Sequence, residues 1–278
     1  MLFHTFAHIS GVGEATEQRL WAAGVHSWDD FNEPWPQGFA GRRAEMVARH
    51  LADSRRSFTA GPAAVARLLK NTLHWRLFPH FRDTTAYLDI ETTGLGRDTD
   101  LITTIALYDG HAVHTFVRGE NLDDFIAAVG RYRVLVTYNG RCFDVPVLER
   151  SFGITLDQVH IDLRYLLREL GFSGGLKGCE KKLGIARDDG LDGVDGRFAV
   201  LLWREYERTG NRAALETLLA YNIADTVNLE TLMVLAYNRK VTQTPFAETL
   251  LLPLPTPPPN PFTADPRLVT TLRQRYGL

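Results

Sequence analysis

Between residues 84 and 240 the chain alternates short β-branched apolar runs with longer segments of helical period. Residues 85–91 (TAYLDIE), 101–108 (LITTIALY) and 112–117 read as three strands, with Asp109-Gly110 as a hairpin turn signal between the second and third. Residues 121–130 suit a helix with Asn121 as its N-cap. Residues 134–138 form a short apolar run of the kind buried on both sheet faces. A helix over 143–152, a fifth strand over 159–162 and a helix over 163–170 follow, and residues 197–208 and 212–236 supply two more helices. Three strands, helix, strand, helix, strand predicts an α/β sheet flanked by helices.

The flanks have a different texture. Residues 1–80 read as helical, broken by turn signals at Gly11-Val12-Gly13, Gly24 and Pro34-Trp35-Pro36. The stretch from His8 through Gly11 and Gly13 to Leu20, with Ala23-Gly24-Val25 and Trp28 behind it, is similar to a helix-hairpin-helix element. In such an element a Gly-x-Gly hairpin lets backbone N–H groups approach a phosphate at the next helix's N-terminus. Glu14 and Glu17 place negative charge beside the hairpin, and an interhelical turn that only packs is the alternative. If functional, the element would hold duplex DNA independently of sequence. Trp28, Phe31, Trp35 and Phe39 read as the core of this region rather than a stacking platform. Residues 241–278 hold a Pro-rich segment at 253–261 (PLPTPPPNP), an expected extended linker, and a basic helix at 265–276.

Composition changes this picture little. The 278 residues are 45% hydrophobic and 23% charged, with a formal net charge of -2, so a sizeable core is available. The balance does not advertise a nucleic-acid binder, but residues 41–80 concentrate Arg42, Arg43, Arg49, Arg55, Arg56, Arg67, Lys70 and Arg76 against Glu45 and Asp53. That segment could meet phosphates or be a solvated helix face. Two cysteines, Cys142 and Cys179, are too few for a disulfide framework and form no CxxC pair. The first residues lack a basic start and apolar run, and no apolar stretch spans a bilayer, so a cytoplasmic location without membrane attachment is expected.

The candidate chemistry is acidic. Asp89 and Glu91 are two apart on one strand and so project from the same face. Paired acids on a buried-type strand lose hydration beside a like charge, a cost that a divalent cation removes. Thr92-Thr93-Gly94-Leu95 ends this strand, placing the acids at its C-terminal end, where α/β sheets collect ligands. A strand running out to solvent is the alternative. Asp144 follows the Asn139-Gly140 turn and begins a helix, where an acid can also satisfy free N–H groups. Tyr221 and Asp225 are four apart on one helix face, and a surface acid beside a half-buried tyrosine is the plain reading there.

Taken together, D-I-E-T-T-G-L, Y-N-G-x-x-F-D and Y-N-x-x-D resemble the three exonuclease motifs of the DEDD nucleases, and within them the YprB-like exonucleases. Ile161-Asp162-Leu163, Gly175-Leu176-Lys177 and Lys182-Leu183-Gly184-Ile185 extend the resemblance, which covers residues 84–237. It implies an RNase H-like mixed five-stranded sheet flanked by helices. It also implies a two-metal site of Asp89, Glu91, Asp144 and Asp225 using Mg²⁺ or Mn²⁺. Tyr221 falls at the position of the tyrosine-type subgroup's catalytic tyrosine, and no His stands four or five residues before Asp225. The implied mechanism is in-line attack of water on a phosphodiester between two ions about 3.5–4 Å apart. Asp89 would bridge the ions, Glu91 and Asp225 would help hold the ion that activates water, Asp144 would serve the second ion, and Tyr221 would orient the water.

Thr92, Asn139 and Lys177 are further candidates for nucleic-acid contact, beside Gly11 and Gly13. For Asn139 a brace of its turn is the favoured reading over nucleotide contact, Asp162 at the end of the fifth strand supports the site or caps the next helix, and Lys177 meets a phosphate or is a solvated surface lysine. The function implied is a 3′–5′ exonuclease on DNA or RNA. A catalytically silent nucleic-acid-binding scaffold on the same fold is the alternative, and the presence of all four acids and the tyrosine speaks against it. A proofreading subunit would need a polymerase partner, for which the Pro-rich segment is the one candidate dock.

Overall fold

A computed structural model describes residues 1–94, 100–187, 189–191 and 194–277. After a 3-10 turn at Leu2–His4, α1 (Glu14–Ala22), α2 (Gly41–Ala60), α3 (Pro62–Ala66) and α4 (Phe78–Phe81) precede β1 (Thr85–Thr92), β2 (Ile102–Tyr108) and β3 (Val113–Val117). Then come α5 (Asp124–Val129), β4 (Val134–Thr137), α6 (Asp144–Phe152), β5 (Val159–Asp162), α7 (Leu163–Glu169), α8 (Gly175–Leu183), α9 (Gly196–Thr209), α10 (Arg212–Val241), α11 (Ala247–Leu250) and α12 (Pro266–Tyr276).

Among the described residues the strands form one sheet in the order β3-β2-β1-β4-β5. β1 and β2 pair antiparallel, as do β2 and β3, whereas β4 lies parallel to both β1 and β5. The strand alternation sorts β1 cleanly. Ala86, Leu88 and Ile90 bury one face with Phe125, Val147 and Leu148 of α5 and α6. Tyr87 faces the other way, into a core with Ile223, Val227 and Val234 of α10, and Asp89 and Glu91 share its side by the period of two. The long, nearly all-buried helix α10 therefore lies across the acid-bearing face.

The expected elements are present with shifted ends. β4 stops at Thr137 rather than 138, because the backbone turns left-handed at Asn139 (φ 68°). Gly140 is required there, since a Cβ would overlap the Thr137 hydroxyl that accepts from its N–H (3.1 Å). Asn121 is not the cap of α5, which starts at Asp124. Its side chain instead accepts from Val117 N (2.8 Å) and donates to Thr115 O (3.0 Å), pinning the turn that leaves β3. Leu95, the last residue of the first motif, lies outside the described residues.

Residues 1–80 share their core with the sheet. Trp75 packs on Tyr237 of α10 with ring centroids 5.8 Å apart, and Trp21 packs on Phe246 at 5.3 Å. Trp28, Phe31 and Phe39 are buried, as expected of core aromatics. The element around Gly11 (φ 77°) and Gly13 is a 3-10 turn, a hairpin and a single helix. Glu17 does not face the hairpin's solvent side: it is buried with Arg76 in a two-point ion pair. One of the eight basic residues of 41–80 is thus internal.

The Pro-rich segment is a strap laid along α10 rather than a free linker. Asn238 exchanges two 2.8 Å hydrogen bonds with the backbone of Leu252, Asn260 donates to Ala220 O (2.8 Å), and Asp265 N donates to the Thr217 hydroxyl (3.0 Å). Beyond it, Val269 and Leu272 of α12 are buried against α9 and α10. No helix among the described residues is long and apolar enough to cross a membrane.

Candidate active site

The acids of β1 stand where its pairing changes. β4 accompanies β1 only as far as Tyr87, and the β1–β2 register slips between Glu91 and Thr92. Asp89 and Glu91 therefore emerge at an irregular sheet end, beneath α10. Carboxylate oxygens of Asp89, Glu91 and Asp225 all lie within 4.8 Å of one another. Burial comes first in raising the acidities' pKa values well above the ordinary range for Asp89 and Glu91, followed for both by the charges of Asp225 and Asp144. Three hard oxygen donors converging in a half-buried to buried setting are the donor chemistry that a divalent cation of the Mg²⁺ or Mn²⁺ type prefers.

α10 contributes three residues to the site. Asp225 completes the triad, and Tyr221, one turn earlier and 4% exposed, lies beside it. Burial, then the charges of Asp225, Glu91 and Asp89, drives the Tyr221 phenol far upward, so it stays protonated and is an O–H donor rather than a base. Asn222 is a neighbour of the triad that reading the acids alone misses. It is fully buried, donates to Asp89 Oδ2 (2.7 Å) and Asp89 O (3.2 Å), and accepts from the Thr104 hydroxyl of β2 (3.0 Å). The only signal for it in the sequence is its place inside Y-N-x-x-D.

Asp144 is near the triad but engaged otherwise. It opens α6, and its Oδ1 accepts from Ile90 N (3.2 Å), a backbone donor beyond the last β4 partner of β1. Burial pushes its pKa to about 7, against the opposing effect of its backbone hydrogen bonds. It does not belong to the three-residue cluster that lies within 4.8 Å. Asp162 caps α7 through Arg164 N (3.0 Å) and also accepts from Asn139 N (2.8 Å) and Arg141 N (3.1 Å). Asn139 accepts from the Arg164 guanidinium. These bonds make Asn139 a brace of the turn that delivers Asp144.

Cations enter from α8 and the segment after it. Lys177 is no solvated surface lysine: its ammonium donates to Val194 O and stands 4.5 Å over the Tyr221 ring. Desolvation lowers its pKa. Arg187 pairs with Asp225 and with Glu180 of α8. Lys177, Glu180 and Arg187 line a cavity of about 470 Å³ with Leu191, Val194 and Asp195. A smaller cavity of about 190 Å³ is lined by Trp75, Arg141, His160 and Tyr165, and none of the triad acids lines either cavity.

Of the remaining candidates, Thr92 is buried with its hydroxyl donating to Gly94 O, so it serves the turn. Gly11 and Gly13 lie in the N-terminal region, and the space where a Cβ would stand is open at both. Cys142 is exposed, with its Sγ 3.3 Å from the Tyr165 hydroxyl.

Residues 86–237 match the model of the RNase H superfamily. No curated protein matches the sequence. Among solved structures, Brucella melitensis NrnC with bound Mg²⁺ is similar at 17% identity and a TM-score of 0.40, covering 60% of this chain and 77% of its own. The family B DNA polymerase from the archaeon Pyrobaculum calidifontis is similar at 15% identity and a TM-score of 0.37. That match covers 56% of this chain but only 29% of the polymerase. With its matched region spanning more than half of the chain, from the start of β1 into the second half of α10, the protein belongs to the RNase H superfamily.

Proposed function

We propose that this chain is a divalent-metal-dependent nuclease that hydrolyses phosphodiester bonds of DNA or RNA, acting as a 3′–5′ exonuclease of the tyrosine-type DEDD, YprB-like kind. The observation that carries the reading is the convergence of Asp89, Glu91 and Asp225 oxygens within 4.8 Å, beneath a protonated Tyr221. Membership of the superfamily supports a nuclease acting on nucleic acid.

Asp89, Glu91 and Asp225 would hold the metal, with Asp144 beside them as a further ligand once it releases Ile90 N. Bound Mg²⁺ or Mn²⁺ supplies a nucleophile from water and stabilises charge on the attacking and leaving oxygens. Asn222 keeps the Asp89 carboxylate in one orientation, and Tyr221, hydrogen-bonded to Asp225, would orient the attacking water through its phenol oxygen. Lys177, partly desolvated beside Tyr221, is placed to meet a substrate phosphate. Asn139 supports the site through its turn. Gly11 and Gly13 present an open backbone hairpin that suits a duplex phosphate, and the inward turn of Glu17 removes one of the two negative charges that would oppose it.

The test is degradation of end-labelled single-stranded and duplex DNA and RNA in Mn²⁺, Mg²⁺ and EDTA, wild type against Asp89→Ala. Metal-dependent laddering from the 3′ end, lost in the variant, is expected. Laddering from the 5′ end or internal cutting would overturn the polarity or the exonuclease reading. Retained binding with no cleavage by wild type in any metal would replace the enzyme by a nucleic-acid-binding scaffold.

A further inference from the structure

Arg187 belongs to none of the motifs, yet its guanidinium connects the acid cluster to a second, dedicated carboxylate. Nε donates to Glu180 Oε2 (2.6 Å) and Nη2 to Glu180 Oε1 (2.8 Å), while Nη1 donates to Asp225. Glu180 is 1% exposed and also accepts from Asn228 Nδ2 of α10 (2.9 Å). The fork leaves the guanidinium plane no freedom on the Glu180 side. Its remaining edge points at Asp225, and it lines the same cavity as Lys177.

A buried ion pair is a poor way to pack α8 against α10, because desolvating both charges offsets much of their attraction. The pair does what an apolar contact cannot: it aims N–H donors at one place. That place is Asp225. A cation held by Asp225 would compete with Nη1 for the same carboxylate, and Arg187 would then have a donor to offer at the cavity it lines. We infer that Arg187 is a substrate-phosphate ligand of this site, oriented by Glu180 as a positioning residue and exposed to the phosphate only when metal occupies the acids. The inference rests on the nuclease reading of the same site.

The experiment is fluorescence anisotropy of a labelled single-stranded phosphorothioate oligonucleotide, in EDTA and in Mn²⁺. It compares wild type, Arg187→Lys, Arg187→Gln and the paired variant Arg187→Gln/Glu180→Gln. The paired variant replaces the ion pair by two amides of similar shape and so avoids leaving Glu180 buried without its countercharge. In Mn²⁺, both Gln variants should bind about tenfold more weakly than wild type, with Arg187→Lys between. In EDTA, wild type and the paired variant should bind alike, because Arg187 is then committed to Asp225. Equal binding by all forms in Mn²⁺, or the same loss in EDTA as in Mn²⁺, would overturn the inference and leave a structural ion pair. Failure of the wild type itself to bind more tightly in Mn²⁺ and to cleave the phosphodiester form would instead remove the nuclease reading beneath it.

Discussion

Two of the places where the molecule buries carboxylates treat them in opposite ways. In the N-terminal region Glu17, 1% exposed, has donors on both oxygens. Oε2 accepts from Phe6 N (2.5 Å), Ala7 N (2.9 Å) and Arg76 Nη1 (2.9 Å), and Oε1 from Arg76 Nη2 (2.8 Å). At the end of β1 the acids face one another, and burial together with mutual repulsion raises Asp89 and Glu91 well above their ordinary pKa values. A buried carboxylate closed by donors is part of the scaffold. Carboxylates turned towards each other oppose folding until a cation joins them, so the arrangement persists for what it binds. Residue type is alike in the two places, and the partners decide.

The comparison breaks most severely if the acid cluster can be removed without consequence. Asp89→Ala is expected to lower metal-dependent cleavage on the order of 10³-fold, read as initial rates on a labelled oligonucleotide. The melting temperature in EDTA should hold or rise, since a like charge has gone. A variant that melts earlier in EDTA would mean that Asp89 is scaffold like Glu17.

The mirror variant is Arg76→Ala. Leaving Glu17 buried without its cation should cost about 3–5 kcal/mol, a fall in melting temperature on the order of 10 °C for a chain of this length. The enzyme that remains folded should cleave normally. The paired variant Glu17→Gln/Arg76→Met, which keeps an acceptor for Phe6 N and Ala7 N, should recover most of the loss. Scanning calorimetry decides it, and a small loss for Arg76→Ala alone would show that the pair is not closed as its distances indicate.

A third expectation is about pH. Asp144 has a folded pKa of about 7 against an ordinary 3.8, so between those values the folded protein holds a proton that the unfolded chain releases. Metal-free stability should therefore fall as pH rises from about 4 to 7 through this group. His8 and His160 act with the opposite sign. Burial depresses both to about 4 from 6.5, so their contribution is complete above 6.5 and is lost as pH falls towards 4. The two effects oppose each other in the same window, so Asp144→Asn should remove the falling contribution and make stability in EDTA rise more steeply between pH about 4 and 7. An unchanged slope there would show that Asp144 is ionised without penalty.

How much of this was legible in the sequence follows from how local each cause is. The pair Asp89 and Glu91 was visible because a strand's period of two is local, and the fifth strand's bounds came out as written, 159–162. Tyr221 and Asp225 were visible for the same reason on a helix. Asn121 was misread as a cap because its true partners, Val117 N and Thr115 O, belong to the strand behind it. Glu17 reads from the sequence as negative charge beside the hairpin because Arg76, its partner, is 59 residues away. The engagement of Asp144 with Ile90 N depends on where β4 stops beside β1, a property of the assembled sheet. Arg187 carried no signal, since nothing near it in the chain marks an arginine that will meet acids from α8 and α10.

The finest division between scaffold and site runs through Asn222. It is as buried and as fully bonded as Glu17, yet one of its partners is the Asp89 carboxylate. Were its role only to tie α10 to β1 and β2, Asn222→Ala would lower the melting temperature and leave the metal dependence of cleavage unchanged. If it orients a metal ligand, the variant loses the donor that holds Asp89 Oδ2, and the carboxylate samples other rotamers before metal binds. Groups that orient ligands in this way are typically worth about 10–100-fold in metal affinity or activity. Titrating Mn²⁺ against cleavage rate should then show the half-saturating concentration raised by about that factor, with the maximal rate largely recovered at high Mn²⁺. The loss of the bond to Thr104 should appear separately, as a lower melting temperature that added Mn²⁺ does not restore in full. A rate deficit that persists at saturating Mn²⁺ with an unshifted midpoint would place Asn222 with the scaffold and leave the orientation of Asp89 to the strand alone.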